Sequence, residues 1–141
     1  MEGKQLFFVY GTLRDGQGNN WLMKEVEGIR LNKEKGGATT VNKYKMYGGG
    51  IPFVVPDEHE HHIKGDVYEV EGKDSFKAID GLEDHPNWYK RELIPVIIDG
   101  KEHQAWLYFN DLSKSQRKYY FEDGDFTNNR VMNETSELSN V

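Results

Sequence analysis

The chain contains no cysteine. Disulfides, thiolate-bound metals and thiol nucleophiles are therefore excluded, and the composition suits a reducing cytoplasm. Long apolar runs are missing too. No stretch approaches the roughly 20 apolar residues that a membrane helix requires, and the opening MEGKQLFFVYG lacks the extended apolar segment of a secretion signal. A cytoplasmic protein without a membrane partner is the expectation. Basic charge is scarce: 18 Lys and Arg stand against 24 Asp and Glu, for a formal charge of -6. That is the wrong sign for a surface that must neutralise phosphates, so no nucleic-acid partner is expected.

What the chain does have is aromatic side chains, 13% of 141 residues. They are enough for one packed core or a lined pocket despite a mean hydropathy of -0.81. The length is that of a single domain. We expect it to cover residues 1–132, with 133–141 as a polar, frayed tail.

The apolar periodicity outlines an α+β chain. Leu6 to Tyr10 reads as a buried strand that stops at Gly11, and Asn19 or Asn20 can cap a helix over WLMKEVE that ends before Gly28. LNKEKGG, residues 31–37, reads as a polar linker. Strands follow over 38–47, 51–55 and 63–70. Asp74 or Ser75 can cap a helix carrying Phe76, Ile79 and Leu82, which Pro86 stops soon after Asp84. Asp99-Gly100 is a strong two-residue hairpin signal, and its register sets Leu93 opposite Trp106 and Arg91 opposite Tyr108. A short helix is expected near 113–120.

Three segments could carry chemistry. In YGTLRDG, residues 10–16, glycine lets the chain leave a strand sharply with backbone N–H groups free to face an anion. The spacing matches neither a P-loop nor a dinucleotide fingerprint, and an ordinary strand-to-loop turn is the bland alternative. AIDGLEDHPNWYKR, residues 78–91, puts Asp80, Glu83 and Asp84 close to Trp88 and Tyr89. A carboxylate against aromatic, partly dry surface is pushed toward the range useful for proton transfer, whereas the plain alternative is a solvated helix end. DEHEHH, residues 57–62, would set His59 and His61 on one face if extended, but it resembles no zinc framework and reads as a solvated loop. No metal and no cofactor are expected.

In their order along residues 6–126 these segments resemble the γ-glutamylcyclotransferase-like family, particularly its γ-glutamylamine cyclotransferase and AIG2-like branch. FVYGTLRDGQGN resembles the opening motif, GGIPFVVP the glycine–proline strand, IKGDVYEV the central strand, and AIDGLEDHPNWYKRELIPV the acidic motif with its following strand. AWLYF and FEDGDF resemble later segments. The resemblance implies a small mixed β-barrel flanked by two or three short helices. It also implies Glu83 as catalytic general acid/base and Tyr10, Gly11, Thr12 and Leu13 as the substrate-binding turn, with Ile51, Tyr89 and Tyr108 along the pocket. Asp84 departs from the family, which usually has a small residue there.

The implied reaction turns a γ-glutamyl amide into 5-oxoproline and a free amine by attack of the α-amine on its own γ-carbonyl. Ring closure of this kind is intramolecular and needs no protein nucleophile; aligned reactions of this type reach effective molarities of about 10⁵ to 10⁸ M. A small γ-glutamyl compound is thus the expected partner. A non-catalytic protein that sequesters a metabolite or nucleotide signal on the same fold is the alternative, and a hydrolase using the same carboxylate to activate water is a third reading.

Overall fold

The computed structural model describes residues 4–11, 13, 20–48, 52–71, 73–82, 90–110, 119–120, 124 and 133–134. The strands are β1 (Lys4–Val9), β2 (Ile29–Arg30), β3 (Ala38–Gly48), β4 (Pro52–Val55), β5 (His61–Glu71), β6 (Lys90–Ile98), β7 (Lys101–Phe109), β8 (Tyr119–Tyr120) and β9 (Asn133–Glu134). The helices are α1 (Asn20–Glu25) and α2 (Lys73–Leu82).

One mixed sheet takes in all nine strands. Its pairings close a ring: β3 pairs with β5, β5 with β1, β1 with β7, β7 with β6, and β6 again with β3. Most contacts are antiparallel, but β7 runs parallel to β1 at Phe7 and Trp106 and parallel to β4 at Val54 and Phe109. This is the mixed, strand-dominated ring with short helices that the sequence leads one to expect.

Strand alternation sorts the side chains into two layers. Phe8, Tyr10, Met46, Val54, Ile63, Val67, Val96, Leu107 and Phe109 fill the inside of the ring. Phe7, Val9, Leu13, Tyr68, Val70 and Tyr108 face the other way and pack with Leu22 and Met23 of α1 and Ile79 of α2. Close approach of strands is built into Gly65, where a Cβ would stand 2.3 Å from the Val9 carbonyl oxygen.

The hairpin follows its turn chemistry. Asp99 and Gly100 both have positive φ, 48° and 84°, as a type I′ turn requires. β6 and β7 then pair from Ile98 with Lys101 out to Lys90 with Phe109, with Leu93 opposite Trp106 and Arg91 opposite Tyr108.

Several expectations are corrected. α1 does end before Gly28, with Glu27 as the left-handed residue after it, φ 57°; Gly28 serves close packing, since a Cβ there would lie 3.0 Å from the Met23 carbonyl oxygen. Asn20 is the first residue of α1, and its amide reaches elsewhere in the fold. Residues 31–37 are no loose linker. Asn32, 1% exposed, donates to Asp66 Oδ1 at 2.9 Å and accepts from Val67 N–H at 2.9 Å, and Gly36 N–H donates to the same Asp66 oxygen at 2.7 Å. α2 begins at Lys73, so Asp74 and Ser75 lie inside it rather than at its cap. Tyr119 and Tyr120 form strand β8, not a helix, because Tyr120 pairs with Tyr47 on β3; residues 113–118 lie outside the described residues. Asn133 and Glu134 pair with β8, and the rest of the expected tail, residues 135–141, lies outside the described residues.

Candidate active site

The carboxyl ends of the parallel strands β1 and β7 lie at the same end of the sheet, and α2 packs on the face they share. The first residue past β1 is Tyr10, whose hydroxyl donates to the Tyr108 carbonyl oxygen at 2.8 Å and accepts from Val54 N–H at 3.3 Å. A phenol thus fills the gap where β1 and β7 part and β4 enters. Gly11 and Leu13, both buried, follow directly. The far side of this turn is held by Asn20 of α1, which donates to the Leu13 carbonyl at 2.9 Å and to the Tyr68 hydroxyl at 2.9 Å. Tyr10 and Leu13 are therefore each held by hydrogen bonds to distant parts of the fold.

The second part of the site comes from α2 and the β6–β7 hairpin. The Tyr108 hydroxyl donates to Asp80 Oδ1 at 2.5 Å, and Arg91 Nε donates to the same oxygen at 2.9 Å. Arg91 and Asp80 form an ion pair with both side chains 19% exposed. The guanidinium carbon also lies 4.8 Å from the centre of the Trp106 ring, and Trp106 donates to Gln5 at 3.0 Å. Tyr108 stacks on Phe7 with ring centres 6.2 Å apart. Asp80 is three residues before Glu83, and the hairpin register makes the contact possible by standing Arg91 beside Tyr108.

Of the residues expected at the site, Tyr10, Gly11, Leu13 and Tyr108 gather at this end of the sheet; Thr12, Ile51, Glu83 and Tyr89 lie outside the described residues. The acidic motif already named Asp80 beside Glu83 and Asp84, but its contacts with Tyr108 and Arg91 arise only once the hairpin stands beside α2, and Asn20 reads in the sequence as no more than a helix cap.

The histidine segment is separate. His61 and His62 already belong to β5, and the Nδ1 atoms of His59 and His62 lie 3.1 and 3.0 Å from the carbonyl oxygens of Lys43 and Thr40. No group of three or more His, Asp or Glu side chains suited to a metal occurs among the described residues. No helix among them is long and apolar enough to cross a membrane.

Comparison with known proteins points the same way. Residues 7–128 match the family model described as gamma-glutamyl cyclotransferase, AIG2-like. A candidate gamma-glutamylcyclotransferase of Methanocaldococcus jannaschii is 46% identical over 103 residues, which is 72% of this chain and 81% of that protein. The gamma-glutamylaminecyclotransferase of Mus musculus is 30% identical over 102 residues, 64% of this chain and 62% of that protein. The crystal structure of an AIG2-like protein from Mus musculus superposes with a TM-score of 0.73, covering 94% of this chain and 97% of that one at 22% identity, which establishes a shared fold.

Proposed function

This chain belongs to the gamma-glutamyl cyclotransferase, AIG2-like family and is one of its enzymes, and we propose that it acts on γ-glutamyl amines, with Glu83 as the general acid/base. The α-amine of the γ-glutamyl group attacks the γ-carbonyl carbon. A C–N bond closes the five-membered ring, the original amide C–N bond breaks, and the products are 5-oxoproline and a free amine. Glu83 takes the proton that the attacking nitrogen sheds and returns it to the departing nitrogen, so one carboxylate serves both steps. N–H groups of the turn at residues 11–13 hold the substrate carboxylate or the oxygen on which charge develops.

The observation that carries this reading is the double use of Tyr108. Its carbonyl oxygen holds Tyr10 at the entrance to the turn, and its hydroxyl holds Asp80, three residues from Glu83. One rigid strand residue thus ties together the two segments that the chemistry needs near each other. Proximity of this kind matters because a displacement of about 1 Å can lower a rate roughly 100-fold.

A turn held at Tyr10 and Leu13 recognises the compact γ-glutamyl end and leaves the amine end outward. Amine identity then counts less than an intact α-amino group and α-carboxylate. A panel of γ-glutamyl amines and dipeptides, followed by mass spectrometry, should give 5-oxoproline from several members and none from an N-acetylated analogue, whose blocked nitrogen cannot close the ring. Saturable binding without any 5-oxoproline would mark a sequestering protein, and glutamate in place of 5-oxoproline would mark a hydrolase. In Glu83→Gln, turnover should fall about 10²- to 10⁴-fold with ligand binding retained; turnover near wild type would remove Glu83 from the mechanism.

A further inference from the structure

Asn110 is the first residue beyond β7 and is only 2% exposed. Its backbone is settled, because its N–H donates to the Val54 carbonyl at 3.0 Å. Its side chain is not: Nδ2 is buried and has no hydrogen-bond partner among the described residues. An amide nitrogen carries two donors, and folded proteins pair nearly all such buried groups, so a bare one requires a reason.

Its position supplies one. Alternation along β7 sends Ala105, Leu107 and Phe109 into the ring and Trp106 and Tyr108 to the opposite face. Asn110 is next in the second series, on the side where Tyr108 meets Asp80. Val54 links it to the substrate turn: the Val54 N–H donates to the Tyr10 hydroxyl while the Val54 carbonyl accepts from Asn110. The bare amide thus belongs to the residue that ends β7, and its backbone is joined through Val54 to the Tyr10 hydroxyl where β1 ends. A buried donor with no partner among the described residues is ready for an acceptor that arrives with the ligand.

We infer that the Asn110 side-chain amide binds the substrate, donating from Nδ2 to a carboxylate or carbonyl oxygen of the γ-glutamyl group. This rests on the cyclotransferase reading above. Because the donor is neutral, it adds directional recognition without a fixed positive charge, and any charge it meets belongs to the ligand.

The test uses the full chain and 5-oxoproline, the reaction product, as probe. In the ¹⁵N-labelled wild-type protein, titration should shift the Asn110 side-chain amide together with the Gly11 backbone amide. Asn110→Leu should bind 5-oxoproline about tenfold more weakly or worse and raise KM in parallel. Its melting temperature should be unchanged or higher, since the substitution removes an unpaired polar group from a buried position. If Asn110→Leu does not fold, Asn110→Asp, which keeps the shape but removes the donor, should show the same loss. Either a stationary Asn110 resonance while Gly11 shifts, or wild-type affinity in the variant, overturns the role of Asn110 and leaves the cyclotransferase reading standing. Wild-type protein that neither forms 5-oxoproline nor shows a shift at Gly11 overturns both.

Discussion

Asp66 and Asp80 each draw two hydrogen bonds from elsewhere in the chain, yet the clusters around them are finished differently. Asp66 is 0% exposed, and the Asn32 amide and the Gly36 backbone N–H converge on one of its oxygens. These bonds tie residues 31–37 to β5, and both the donor and acceptor ends of the Asn32 amide are occupied. Asp80 is partly open. It is answered by the cation of Arg91 and the phenol of Tyr108, and Asn110, just past the end of β7, has a side-chain donor with no partner among the described residues. A saturated polar cluster holds the chain to itself; one with an unmet donor at its margin has room for a ligand. Asn32 and Asn110 are buried alike, and the partners of their amides are what tell them apart.

The comparison breaks if disrupting the first cluster harms catalysis more than folding. Asn32→Leu leaves Asp66 short of a donor and Val67 N–H unpaired inside the sheet, and should cost about 3 to 5 kcal/mol of stability. Urea unfolding would measure it, with turnover per folded molecule little changed. Asp80→Asn should do the reverse. Tyr108 and Arg91 lose the charge that gathers them, and turnover should fall about 10- to 100-fold through misplacement of the adjacent segment. The folding midpoint should move by no more than about 1 to 2 kcal/mol, because the pair is partly solvated. Equal losses in kcat and stability would make Asp80 merely structural.

A smaller change sharpens the same contrast. Tyr10→Phe removes the hydroxyl between the Tyr108 carbonyl and Val54 N–H, a loss of about 1 kcal/mol in stability. KM should rise several-fold as the turn loosens, with kcat less affected. The smallest effect belongs to the inner layer. Burial raises the pKa of the Tyr44 phenol above its ordinary 10.0, opposed by a hydrogen bond to the Asn42 side chain and assisted by the negative charge of Glu92. The unfolded chain then ionises first as pH rises. The contribution of Tyr44 is intact below about pH 10 and is lost above it as pH climbs toward the raised folded value. Melting curves from pH 9 to 11 should show a shallower loss in Tyr44→Phe than in wild type.

Local chemistry made part of this architecture legible. Asp99-Gly100 dictates a type I′ turn, and that turn sets the register of the whole hairpin, including Arg91 beside Tyr108. The short run before Gly11 announces a buried strand and a sharp exit, and the order of the motifs announces the family. Where the reading failed, the cause was a distant partner. Residues 31–37 look like a polar linker because nothing nearby reveals that Asp66 will be buried against them. Tyr119 and Tyr120 suit a helix until β3 offers Tyr47 as a strand neighbour, and Asn20 resembles a cap until Leu13 and Tyr68 come within reach of its amide.

The sequence by itself thus determined the longer strands, the hairpin register and the family, because turn geometry and apolar alternation are local properties. Only the tertiary structure decided that Tyr108 joins Tyr10 to Asp80 of α2 and that the Asn110 side-chain amide is buried without a partner among the described residues. Burial and hydrogen-bond satisfaction depend on groups brought together from across the chain, here by closure of the ring and the parting of its parallel strands.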